Sequence, residues 1–194
     1  MTMGAIKTIP AAVLLTAVLV SLIAAEGCSK NEQKTAGVVE QAAAGKDQTP
    51  YYDGLIEEYQ NVLAGDPRNL AATIALGNAY YDTGKWKLAV HYYELALQLD
   101  PHQADIITDM GTCFRNLGMP DRAIALYERT LAMEPMHQNA LFNLGVVYGY
   151  DRKEYAKAIK YWEQLLRVSP RHPKAEYLQA TMAQFKKAMK QRSN

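Results

Sequence analysis

The stretch "LGNAYYDTGKWKLAVHYYELALQLDP" (Leu76–Pro101) decides the fold. Leu76 and Tyr80 stand one helical turn apart, and Ala89, Tyr93 and Ala96 follow at i, i+4, i+7 spacing. Gly84 falls where a helix end wants a left-handed residue. The stretch therefore reads as the end of one short helix, a tight turn and a second helix, about 70–82 and 86–99. The second helix also carries Leu88, Tyr92, Leu95 and Leu99 on an adjoining stripe. A helix that is apolar on two stripes must be covered on two sides, as stacked helix pairs provide.

The pattern recurs. An acidic or polar residue precedes proline at Asp66-Pro67, Asp100-Pro101, Glu134-Pro135 and Ser169-Pro170, so the prolines are 34, 34 and 35 residues apart. Between them Leu76-Gly77, Met110-Gly111 and Leu144-Gly145 share one phase, followed three residues on by Tyr80, Phe114 and Tyr148. Ala89, Ala123 and Ala158 come next, then Tyr93, Tyr127 and Trp162. The third block holds its extra residue in "GYDRKEY". A period of this length is the mark of a solenoid built from helix pairs.

These residues resemble the tetratricopeptide repeat (TPR), with Leu-Gly, Tyr, Ala, Phe/Tyr, Ala and Pro at the matching places. Thr130 and Leu165 stand where the family has its last Ala. The resemblance implies an all-α fold, a right-handed superhelical solenoid of helix-turn-helix repeats. It covers repeats 70–103, 104–137 and 138–172. Residues 51–64, with Leu55, Tyr59 and Val62 in phase, read as a lone second helix. Residues 173–190 read as a capping helix, because Ala175, Leu178, Met182, Phe185 and Met189 form one apolar stripe opposite Lys174, Glu176, Gln179, Lys186 and Lys190. Its basic end suits a helix C-terminus. The repeat domain as a whole is expected over 49–190. Thirteen tyrosines against three phenylalanines fit this reading, since several tyrosines fill motif packing places.

The first 28 residues differ in kind. No charge occurs from Ile9 to Ala25, Lys7 precedes that run and Glu26 follows it. Such a segment is read as a secretory signal or membrane anchor, with the remainder outside the cytoplasm. "SLIAAEGCSK" resembles a bacterial lipoprotein signal, with Gly27 before Cys28. Ala25 and Glu26 depart from that signal's preferred residues. The resemblance implies lipidation of Cys28. An uncleaved anchor and cleavage near Ala25 stand beside it. Residues 29–48 are polar and Ala/Gly-rich and read as a tether. A flexible coil of that length spans roughly 25 Å. The localisation expected is the cell envelope, on the periplasmic side.

Function classes narrow accordingly. A net charge of +1 argues against a nucleic-acid partner. No phosphate loop, nucleophile elbow or Cys-x-x-Cys is present, so neither an enzyme nor a cofactor is expected. His102, His137 and His172 follow the inter-repeat prolines, too far apart for one metal. Cys113 shares its phase with Ala79 and Val147 and reads as a packing residue. The family resemblance implies a protein or peptide partner, bound on the concave face formed by the first helix of each pair. It places Ala71, Ile74, Asn78, Tyr81 and Asp82 there from the first repeat. From the second come Asp105, Thr108, Thr112, Arg115 and Asn116, and from the third Asn139, Phe142, Val146, Gly149 and Tyr150. The aromatic residues are expected to anchor the partner, and Asn78, Arg115 and Asn116 to fix its register. Ile74 and Thr108 occupy places where a carboxylate-clamping family member has lysine, so that clamp is not expected. The function expected is a scaffold tethered to the envelope. "AIKYWEQLLRVSP" (Ala158–Pro170) is also similar to repeats that present apocytochrome during cytochrome c maturation, which gives a narrower alternative.

Overall fold

The computed structural model describes residues 49–192. The leader, Cys28 and the tether lie outside them. Eight helices follow in order: α1 (Thr49–Gly65), α2 (Leu70–Asp82), α3 (Trp86–Leu99), α4 (Ala104–Asn116), α5 (Pro120–Met133), α6 (Gln138–Val146), α7 (Tyr155–Val168) and α8 (Ala175–Arg192). A π-helical turn, Val147–Asp151, prolongs α6. The pairs α2/α3, α4/α5 and α6/α7 are the three repeats, flanked by α1 and α8.

Each pair closes on a small-to-large contact. Tyr93, Tyr127 and Trp162 are fully buried and lie against Gly77, Gly111 and Gly145 of the facing helix. A Cβ on Gly77 would sit 2.5 Å from the Tyr93 ring, and one on Gly111 2.6 Å from that of Tyr127. Gly145 is as tightly covered by Trp162. These glycines let two backbones approach with an aromatic ring between them. The small Ala89, Ala123 and Ala158, all fully buried, complete the seams. Leu76, Met110 and Leu144, with Ile107 and Leu141, fill the layer between. Cys113 is buried there as a free thiol, as its phase led one to expect.

The connections follow from local chemistry. Asn69 caps α2 by accepting from the Ala72 N–H at 3.0 Å, and His137 caps α6 by accepting at Nδ1 from the Ala140 N–H at 3.2 Å. Pro120 opens α5 at a position where its missing N–H is harmless. Gly84 (φ 69°) and Gly118 (φ 75°) end α2 and α4 in left-handed geometry. There the Lys85 N–H donates to the Tyr80 carbonyl at 2.8 Å and the Met119 N–H to that of Phe114 at 2.9 Å.

The third repeat closes the same loop with one residue more. Glu154 N–H donates to the Tyr148 carbonyl at 2.7 Å, and the residue at positive φ is Lys153 (57°) rather than glycine. The extra residue of "GYDRKEY" is absorbed by the π-turn, whose wider ring takes up one residue without ending the helix. The cap differs slightly from expectation, running Ala175–Arg192, with Leu178, Met182 and Phe185 buried against the last pair.

The glycine–aromatic contact gives a direct test. Gly111→Ala gains about 1 kcal/mol of helix propensity, yet its methyl must displace the enclosed Tyr127 ring. Overpacking of that kind costs more, so urea denaturation is expected to show a net loss of about 1–3 kcal/mol.

Candidate partner-binding groove

The first helices form one layer. α2 touches α4 and α4 touches α6, in addition to each helix's own partner. Their closer approach places them on the inner side of the stack, and the surface they share is the groove.

The aromatic seams reach through to this surface. The Tyr93 hydroxyl donates to Asn78 Oδ1 at 2.9 Å. The Tyr127 hydroxyl pairs with the Thr112 hydroxyl at 3.1 Å, and Asn143 Nδ2 donates to the same Thr112 oxygen at 3.3 Å. In the third repeat Val146 replaces the polar residue, so Trp162 Nε1 donates to the Phe142 carbonyl at 3.0 Å instead. Asn78 and Thr112 thus satisfy the polar tips of buried rings. Burial raises the phenol of Tyr127 above its ordinary range, followed by its neighbours Tyr81 and Asp109, against the opposing Thr112 bond and Arg115 charge.

The expected groove residues divide into groups. Asp82, Asn116, Asn139 and Tyr150 are exposed, and Asn78 presents its free side to solvent. Ile74, Tyr81, Thr112, Phe142 and Val146 are half-buried. Thr108 does not belong with them. It is 1% exposed, and its hydroxyl donates to the Ala104 carbonyl at 2.9 Å and meets that of Thr130 at 3.1 Å. Thr130 stands at the motif's alanine place, so two polar departures from the pattern satisfy each other inside the pair. Gly149 is also buried, under the Phe185 ring.

Arg115 is committed within the molecule. Its Nε and Nη2 donate to the Asp151 carboxylate at 2.5 and 3.1 Å, a fork that ties α4 to the π-turn. It is therefore presented only as half of a neutral pair. Phe142 is covered in part by the His172 ring, with centroids 6.2 Å apart, and by Lys174 Nζ at 4.3 Å from its ring centre.

Sequence reasoning missed Tyr177 and Asp109. Tyr177 is the fifth residue of the next repeat if the period is continued into α8, in one column with Ile74, Thr108 and Phe142. It is 52% exposed, and its hydroxyl lies 2.6 Å from that of Tyr150, itself 45% exposed. Extending the period past Pro170 would have found it. Asp109 is half-buried on α4 and makes no hydrogen bond or ion pair among the described residues. Its carboxyl is pushed up to about 6, first by burial and then by the charge of Asp105, with His137 opposing and Asp82 adding to the rise. The signal was a lone ionisable residue within "IITDMG" (Ile106–Gly111).

Two models described as "Tetratricopeptide repeat" match the chain, over residues 70–134 and 139–172. The chain is a tetratricopeptide-repeat protein. No curated protein matches it. Among solved structures, a crystal structure of MamA is similar with 25% identity and a TM-score of 0.61, covering 75% of this chain and 91% of that one. A second MamA crystal structure gives 25% identity and 0.61, over 74% and 81%. The Arabidopsis OM64 TPR domain shares 19% identity with a TM-score of 0.55, over 61% and 94%, and so agrees in fold. This TPR chain departs from the plain repeat at the π-turn, the Thr108–Thr130 pair and Asp109.

The Asp109 environment has a signed consequence. A carboxyl whose folded pKa lies above its unfolded value is stable in its protonated form and loses stability as pH rises through about 6. At pH 7.5 Asp109 therefore opposes folding, by about 1–2 kcal/mol once residual solvent access is allowed for. Asp109→Asn is expected to raise the denaturation midpoint at pH 7.5, with the gain shrinking towards zero near pH 4.

Proposed function

We propose that the chain is a non-enzymatic scaffold that holds a peptide or helical segment of a partner protein in its TPR groove, tethered to a bacterial cell envelope by residues 1–28. The TPR fold itself implies protein–protein interaction. The observation that carries the groove assignment is the Tyr150–Tyr177 wall. Two large exposed side chains join hydroxyl to hydroxyl at the C-terminal end of a layer that also offers Tyr81, Ile74 and Val146. Exposed apolar clusters of this kind mark partner sites, and tyrosine supplies contact area at small entropic cost. The Tyr150 ring is held from behind by Phe185 and Trp162, at centroid distances of 5.8 and 6.4 Å, so it is already positioned.

Support for the tether is the uncharged run 9–25 and Cys28, both outside the described residues. Among the described residues no helix is long and apolar enough to cross a membrane.

Crosslinking and pull-down from native membranes tests both parts. The full-length chain is expected to capture a partner, and Tyr150→Ala with Tyr177→Ala to lose most of that capture at unchanged helicity. Removal of residues 1–28 is expected to shift the chain out of the membrane fraction. Undiminished capture by the double variant would contradict the groove assignment.

A further inference from the structure

The described residues open on a second helix and close on a first helix. α1 packs against α2, and α8 against α7. Counted back one period, Leu55, Tyr59 and Val62 of α1 take the places of Ala89, Tyr93 and Ala96. In all three complete pairs those places are fully buried, because the pair's own first helix covers them. In α1, Leu55 and Tyr59 are only half-buried, Val62 is 39% exposed, and Tyr51 on the same face is 64% exposed. This apolar face has no covering helix among the described residues. Counted forward, α8 holds the places of a first helix. Gln179-Ala180 stands where the repeats have Leu-Gly or Met-Gly, and Ala183 where they have Tyr80, Phe114 and Tyr148. Gln179, Ala180, Ala183 and Lys187 share one exposed face there. The two open faces are complementary in size. α8 offers alanines where the repeats are large, and α1 offers Leu55 and Val62 where the first repeat has alanines.

We infer that α8 of one copy packs antiparallel on α1 of a second copy and completes the helix pair that each end leaves half made. The inference stands apart from the groove reading. In this register Ala180 meets Tyr59 as Gly77 meets Tyr93, and Ala183 comes to Leu55. Lys187, one turn further on, comes to the Tyr51 ring, where a cation over an aromatic face adds to the contact. Charge selects the arrangement. α1 carries Asp53, Glu57 and Glu58 and no lysine or arginine, whereas α8 carries Lys186, Lys187, Lys190 and Arg192 against Glu176 alone. Asp53, Glu57, Glu58, Lys187 and Lys190 make no ion pair among the described residues. Two α1 faces brought together, or two α8 faces, would set like charges side by side. The contact is therefore head-to-tail, and it repeats from copy to copy as an open chain.

Sedimentation velocity of the full-length chain in detergent, over a wide concentration range, tests this. Association beyond the dimer is expected, weakening as salt rises. Lys187→Glu is expected to weaken it about tenfold. Val62→Glu blocks the α1 end and Ala180→Glu the α8 end, both at exposed places. Each variant alone is expected to stay monomeric. Their mixture is expected to give a one-to-one dimer and nothing larger, since one free α1 and one free α8 remain; that dimer also shows that both variants are folded. Ala180→Glu dimerising alone would mean that α1 pairs with α1 and would overturn the inference. So would a wild-type chain that stays monomeric, including one that associates only after residues 29–48 are removed, or a mixture of two helical variants that forms no dimer.

Discussion

The structure depends on a backbone approach that only glycine permits. In each repeat a large ring from the second helix lies against the glycine of the first, and the facing alanine seam lets the helices close. Everything else is arranged around that contact. The ring's apolar body fills the pair, and its polar tip emerges on the opposite side, where Asn78 or Thr112 receives it. The same contact that closes the core therefore fixes the side chains of the groove floor. A buried phenol or indole left without a partner would be costly, so the groove residues in that column are tied to the ring behind them. Where Val146 breaks the column, the indole of Trp162 turns to a backbone carbonyl.

The fold was legible because its determinants are periodic. Leu-Gly, the aromatic and the alanine recur at a fixed phase, and each has one job that one residue type performs. Even the extra residue in "GYDRKEY" was visible, although its form was not. Counting shows an insertion, but a π-turn rather than a longer loop follows from Gly149 being pinned under Phe185 and Asp151 being held by Arg115. The groove was less legible. Its columns could be assigned by phase, yet phase does not reveal whether a side chain is already engaged. Thr108 was misplaced because its partner, Thr130, sits in another helix, and Arg115 looked available because its partner lies 36 residues on. Tyr177 and Asp109 were missed for different reasons. One lies beyond the last full repeat, and the other stands out by its burial and its lack of a partner among the described residues.

Asp109 bears on stability. A half-buried carboxylate with no counter-ion among the described residues is unfavourable to the free protein at neutral pH, and the fold tolerates it because the rest of the repeat over-determines the position.

Hydrogen–deuterium exchange of the full-length chain, with and without a partner captured by crosslinking, tests the central claim most directly. The account predicts that bound partner slows exchange in the first helices α2, α4 and α6 and along the start of α8. Slowing confined to the second helices α3, α5 and α7, with the first helices unchanged, would contradict it.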